Sequence, residues 1–416
     1  MKNAPTPNQA TTPRLLVPDL ARGLALMGIA MANAVQTWMI NDIDALDQPG
    51  STLGGVRPDS TLDQIAAILS AVFLHVRGLP MFSTLLGFGI GLVAASAWRK
   101  GYPAADARLM LVRRYGFLAL FGIVHMLLIF HGDIMFYYGL MGMLVATMFT
   151  ASNKALRITA YSVLLVSAAF GTVIAVAVYS VQEPIGAMEQ TATPEMTSLG
   201  VYFSENLLGG LGMLLNAPFA VFQLGGLVLL GYVWAREGYL VNVEQHKGVL
   251  IRWTILGTVV ALVTGVPWGL SAAGFIDPKL EEPLFMLNLA WGLFTGPAIL
   301  AALALATNGV QQRINTTGQT PAWARPFIAL GKRSMSGYLA QSFLFIALVM
   351  PFGLGWGLEA SISGKLLVGF VVWLITLLLA MALERAGVPG PFEQLHRRAS
   401  YGKTKRLEPY TPPLPQ

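Results

Sequence analysis

Cysteine is absent from the 416 residues, which excludes disulfides, thiolate metal sites and a cysteine nucleophile. Charge is scarce. Lys, Arg, Asp and Glu make up 12% of the chain, about half the share usual in soluble domains and too little to cover the surface of a water-soluble fold of this length. Histidine is scarcer still, with five residues and no HExxH-like pair, so the pattern of a metal site is missing. There is no Walker motif, no convincing internal repeat and no loop long enough to hold a second domain. Apolar residues dominate instead: 55% are hydrophobic and the mean hydropathy is +0.60. The 44 glycines and 18 methionines suit helices packed in lipid. The composition therefore reads as an all-α, polytopic membrane bundle.

Apolar runs long enough to cross a bilayer occur at about 20–40, 78–98, 115–131, 134–152, 156–180, 208–235, 249–272, 284–307, 328–352 and 366–385. That makes ten transmembrane helices in a single domain, 14–402, between Pro/Thr-rich tails at 1–13 and 403–416 that are expected to be disordered. The run 61–76 is shorter and reads as an interfacial or re-entrant helix leading into the second span. Residues 14–34 resemble a signal peptide, but the apolar run continues to Ile40 and Asp19 interrupts the basic end. Ten spans put the two termini on one face. That face collects 23 of the 27 Lys and Arg, and the other keeps Arg57, Arg77, Lys279 and Lys365 with 14 of the 21 acids. The positive-inside rule places the basic face and both termini in the cytoplasm. The same scatter of basic residues over every connection excludes a nucleic-acid stripe, despite the net charge of +6. Gly87-Phe88-Gly89-Ile90-Gly91 has no strand before it and lies inside a span, so close helix packing is its reading.

Polar side chains within spans are costly and therefore candidates for function. His125 lies in the third span, and His131 and Asp133 at its outer end. On a regular helix His125 and Asp133 stand about 12 Å apart along the axis and about 80° around it, close enough to line one cavity. His131 points elsewhere and suits substrate contact. Histidine is the natural proton shuttle near neutral pH, and a carboxylate can orient it; a satisfied buried histidine is the structural alternative. Asn33, on the outer half of the first span, suits an oxyanion donor or interhelical glue. Arg22 pairs with Asp19 or contacts phosphate. Arg77, near the outer boundary, pairs with a carboxylate or anchors an anionic substrate. His75 reads as interfacial, and His246 and His396 as solvated. Gly331 to Ser342 brings several hydroxyls and Gln341 to a helix start whose dipole can hold phosphate. Arg333, Arg397 and Arg398 suit a nucleotide phosphate or anionic lipid. No paired inverted repeat and no obvious pair of broken helices with matching positions is visible, which weighs slightly against a transporter.

Four pieces in order carry a family resemblance: Asp19-Leu20-Ala21-Arg22-Gly23 with Asn33; Arg77 with Phe82-Ser83-Thr84-Leu85-Leu86-Gly87-Phe88-Gly89; His125 with Gly132-Asp133-Ile134 and Tyr138-Gly139-Leu140; and Gly331 to Ser342 with Gly390-Pro391-Phe392-Glu393 to Tyr401. Together they resemble the YeiB-like family, domain of unknown function 418, over about residues 14–402. That family is similar, more distantly, to heparan-glucosaminide N-acetyltransferase and the acyltransferase-3 membrane enzymes. The resemblance implies acyl transfer from cytosolic acyl-CoA, with acetyl-CoA the expected donor, to a hydroxyl or amine on a small molecule or glycan across the membrane. It also implies residence in the bacterial inner membrane among its lipids, and a homodimer. In the heparan enzyme an Asn of the first core span and a following luminal His serve the transfer. Asn33 matches the first, but no histidine precedes His75 after span one. Either His125 replaces it, or the chemistry differs, or this branch is no acyltransferase. The expected roles are His125, Asp133 and Asn33 in catalysis, Arg22, Arg333, Arg397 and Arg398 on the donor, and Arg77 and His131 on the acceptor. A small-metabolite transporter and a non-catalytic membrane protein are the alternatives.

Overall fold

The computed structural model describes residues 15–45, 48–181 and 196–411. The tail 1–13, residues 412–416 of the other tail, Asp47 and Glu183 lie outside the described residues. Among the described residues the regular elements are all helical: α1 (Leu16–Asn33), α2 (Thr61–Phe73), α3 (Gly78–Arg99), α4 (Ala104–Leu128), α5 (Met135–Thr147), α6 (Asn153–Val181), α7 (Leu199–Leu215), α8 (Ala217–Glu237), α9 (Val243–Ala272), α10 (Glu281–Trp291), α11 (Thr295–Thr317), α12 (Arg325–Lys332), α13 (Ser334–Val349), α14 (Ile362–Arg385) and α15 (Pro391–Tyr401). Seven stretches are long and apolar enough to cross a membrane, and α5, α7 and α13 are shorter apolar helices. The chain is an integral membrane protein built as a polytopic helical bundle.

Several predicted runs are split. The run 208–235 divides at Asn216 between α7 and α8, 284–307 becomes α10 and α11, and 328–352 becomes α12 and α13. The run 61–76 is α2, which continues into α3 after a break at 74–77. Small residues set the packing. A Cβ on Gly87 would lie 1.9 Å from the Val228 carbonyl, and one on Gly231 1.9 Å from the Thr84 carbonyl. Gly87 and Gly91 therefore lie on a helix-contact face, Gly87 against the α8 backbone and Gly91 against the Ala235 methyl, while Gly89 has room for a side chain. Gly265 and Gly269 of α9 receive Ala71 and Ile68 of α2 in the same way, and Gly122 and Gly139 join α4 to α5.

The breaks at 74–77 and 292–294 abut: a Cβ on Gly292 would meet Val76 at 2.8 Å, and one on Gly296 would meet the Pro80 backbone at 2.3 Å. The break at 74–77 frees backbone carbonyls that lipid cannot satisfy, whereas 292–294 is a 3-10 turn that joins α10 to α11. Arg77, 4% exposed, answers part of that demand by donating to the Ala71, Val72 and Val76 carbonyls and to Asn288 Oδ1. Hydropathy does not reveal these breaks because both sides of each are apolar. Residues 403–411 run back along the α3–α4 turn, where Tyr410 N–H donates to the Lys100 carbonyl at 3.0 Å.

Candidate functional site

α4 does not stay helical as far as Asp133. It stops at Leu128, the Ile129 and Phe130 N–H groups both close on the His125 carbonyl at 2.9 and 2.8 Å, and the chain reverses through Gly132. Asp133 then opens α5. Its Oδ1 accepts the Phe136 N–H at 2.9 Å, as a capping carboxylate does. Its Oδ2 lies 2.7 Å from His125 Nδ1. The expected separation of about 12 Å along a regular helix is thus replaced by direct contact.

A third group arrives from far along the chain. Ser342 Oγ, on α13, lies 3.0 Å from His125 Nε2. Asp133, His125 and Ser342 are 0%, 2% and 3% exposed. A carboxylate at Asp133 would hold the His125 proton on Nδ1 and leave Nε2 to accept from the Ser342 hydroxyl. A hydroxyl touching a base that a carboxylate orients is the arrangement of an activated nucleophile. Sequence spacing gave no signal for Ser342, one hydroxyl among several at the opening of α13 and 217 residues from His125.

Two cavities flank this group. The first, of about 360 Å³, opens toward the basic face and is lined by Arg22, Arg114, Lys332 and Arg397, with Leu26, Ile29, Phe82, Tyr138 and Tyr338 deeper in. Tyr338, whose ring centroid is 5.4 Å from that of His125, separates it from the buried pair. The second, of about 430 Å³, lies toward the acidic face and is lined by Trp38, Asn41, Asp42, Phe130, His131, Tyr202, Glu205 and Glu359 among others. Its inner wall is an aromatic stack: Trp38 lies 4.7 Å from Phe130 and 5.2 Å from Phe345, and Phe130 lies 6.2 Å from His125. A π-helical turn over Ala34–Trp38 at the end of α1 brings Trp38 into that stack, the kind of helix irregularity that recurs at functional sites. One layer of side chains therefore stands between the polar group and each cavity.

The other sequence candidates divide. Arg22 lines the basic cavity and also sits 3.3 Å from Asp19, so both of its readings have a place. Arg397 lines the same cavity, whereas Arg398 is exposed and not among the lining residues. His131 lines the acidic-side cavity. Asn33 is half-buried, makes no side-chain hydrogen bond to the described residues and lines neither cavity; it follows Ile29, which lines the basic cavity, by four on α1. Arg333 lines neither cavity. It donates to the Ala329 and Val388 carbonyls and to Glu384, which joins α12 to α14. Arg77 has no carboxylate within salt-bridge distance among the described residues and lines neither cavity, because the broken ends of α2 and α10 hold it. The helix start expected to hold phosphate is capped by Glu393, whose carboxylate accepts from Met335 N–H, Ser336 N–H and the Ser336 hydroxyl at 2.7, 3.1 and 2.5 Å. His75 is not interfacial but buried beside Trp268, with neither ring nitrogen hydrogen-bonded. His246 is half-buried and stacks on Tyr239.

Sequence reasoning missed Arg114. It lies over the Tyr115 and Tyr401 rings, donates to the Tyr401 hydroxyl at 3.0 Å and leaves its Nε without a partner. An arginine in a run of basic residues carries no mark that it is half-buried at a cavity. His396, expected to be solvated, is buried, with Nε2 2.9 Å from the Arg114 carbonyl. Burial and the neighbouring Arg114 lower its pKa to about 4, so α15 docks with a neutral imidazole.

Two comparisons place this architecture. Residues 234–403, from the end of α8 through α15, match the family described as "protein of unknown function (DUF418)", which bears out the resemblance read from the ordered motifs. Over 411 residues the chain is 26% identical to the uncharacterized protein YxaH of Bacillus subtilis (strain 168), covering 94% of this chain and 95% of that one.

Proposed function

We propose that this protein is a transmembrane acyltransferase. It takes an acyl group from acyl-CoA, acetyl-CoA first among donors, at its basic face, and delivers it to a hydroxyl or amine of a small molecule or glycan at the other. One observation carries the reading: a buried, carboxylate-oriented histidine stands between two cavities that lead toward opposite faces. The positive-inside rule makes the basic face cytoplasmic, and the resemblance to the DUF418 family points to a bacterial inner membrane. Arg22, Arg114 and Arg397 at the basic cavity suit the phosphates of the donor, and the apolar depth beyond them suits its thioester arm. His125 acts as general base and Asp133 holds its tautomer. Asn33, on the Ile29 face of α1, is the donor to a carbonyl oxygen.

The test is saturable stabilisation of the purified protein by acetyl-CoA or a longer acyl-CoA, lost in Arg397→Ala, followed by acceptor-dependent release of coenzyme A. A folded, monodisperse protein that neither shifts nor releases coenzyme A overturns the reading.

A second reading, export of a small solute, has a specific observation behind it: the paired helix breaks at 74–77 and 292–294, a feature of transporter binding sites. Proteoliposomes decide, since a transporter moves unmodified solute without acyl-CoA.

A further inference from the structure

We infer that Ser342 is the nucleophile, and that the acyl group crosses the membrane as an ester on its hydroxyl. The inference rests on the acyltransferase reading and deepens it. A base alone, serving a direct transfer, needs donor and acceptor to meet at one point. Here the two cavities are separate, closed from the polar group by Tyr338 on one side and by the Trp38–Phe130–Phe345 stack on the other. A covalent carrier between them removes that requirement, because each substrate approaches from its own side in turn.

The geometry fits the chemistry. His125 Nε2 is 3.0 Å from Ser342 Oγ, and Nδ1 is 2.7 Å from Asp133 Oδ2. In the first half-reaction the Ser342 O–H proton passes to His125 Nε2 as Oγ attacks the thioester carbonyl. The C–S bond breaks, and the departing sulfur takes that proton to leave as the free thiol. In the second, an acceptor O–H or N–H gives its proton to Nε2 as the acceptor attacks the ester carbonyl, and Ser342 recovers the proton as its C–O bond breaks. No redox partner is needed. An oxyanion donor is also at hand. Tyr338 precedes Ser342 by four residues on α13, so the two share a helix face. It lines the basic cavity, is 5% exposed, and its hydroxyl donates to no acceptor among the described residues, while the Ile134 N–H faces its oxygen. An orphaned buried donor beside the nucleophile is what a developing oxyanion would accept from.

Two measurements on the full-length protein test this. A lipophilic fluorophosphonate reports an activated serine independently of any acyl donor. Incubation with acetyl-CoA or a longer acyl-CoA, without acceptor, reports the ester as the mass of one acyl group on the α13 peptide. Ser342→Ala should abolish both adducts. Ser342→Cys should retain an acyl adduct that neutral hydroxylamine removes, which shows that the site still folds. Asp133→Asn, at a positioning residue, should slow phosphonylation by about 10²–10⁴-fold. Coenzyme A release with acceptor that survives in Ser342→Ala within tenfold overturns the nucleophile and leaves acyl transfer standing. Phosphonylation of Ser342 without any reaction of acyl-CoA upholds the nucleophile and overturns the donor. Neither adduct in the folded wild-type protein overturns the inference.

Discussion

His125, in α4, and His75, in the break between α2 and α3, are both buried among apolar helices, and their surroundings differ completely. At His125 each ring nitrogen has a partner, Asp133 or Ser342, and a cavity lies one side-chain layer away on either side. At His75 neither nitrogen is bonded, and the ring packs edge-on against Trp268. Its charged neighbour, Arg77, faces carbonyls and an amide at two helix breaks. His396 stands between them, with one nitrogen on the Arg114 carbonyl. Burial of a polar residue in a membrane protein marks expense, but it does not say what the expense is for. Partners and access separate a site that can do chemistry from one that holds helices together.

The widest gap between the two histidines should appear in turnover. His125→Gln should lower acyl transfer by about 10²–10⁴-fold, whereas His75→Gln should change it less than about twofold. Coenzyme A release at saturating donor measures both, and comparable losses would erase the distinction. Arg77→Met sharpens the structural half. It strips three carbonyls and Asn288 of a charged donor and should cost roughly 3 kcal/mol of stability. The thermal midpoint should fall while turnover per folded molecule holds; a lost turnover at an unchanged midpoint would make the helix breaks functional and favour the transporter.

The pH response of His396 comes next. Its folded pKa of about 4 lies below the 6.5 of the unfolded chain, so the unfolded state binds the extra proton. The stability it confers is complete above about pH 6.5 and is lost as pH falls toward 4, on the order of 3 kcal/mol at most. Proteolysis of the α15 segment should accelerate over that window, and His396→Gln should flatten the dependence. The smallest effect is expected at His75→Phe, where no hydrogen bond is removed and an unpaired polar ring is replaced by an apolar one; the midpoint should hold or rise by the equivalent of about 1 kcal/mol.

Much of the bundle was legible because hydropathy is local. The ten runs, the extra element at 61–76 and the packing role of Gly87–Gly91 all follow from residue type and spacing. His125 and Asp133 were legible as a pair because they lie close in sequence and lipid tolerates neither alone. The turn that joins them was not, because Ile129, Phe130 and Ile134 are as apolar as the helices on either side. Arg333 and Arg398 look alike as cations in sequence; the position of Glu384 on a different helix buries one, and the other stays at the surface.

Residue type and spacing alone specify an all-helical membrane protein, which face is basic, and which few residues are too polar for lipid. Those are properties of single segments, settled by transfer between water and hydrocarbon. Packing between helices brings Ser342 to His125, Glu393 to the start of α13, and Arg77 to both the break at 74–77 and Asn288 of α10. Each depends on interhelical register. Register is set by close contacts such as those of Gly87, Gly122 and Gly231, whose partners lie anywhere along the chain and leave no mark on the local pattern.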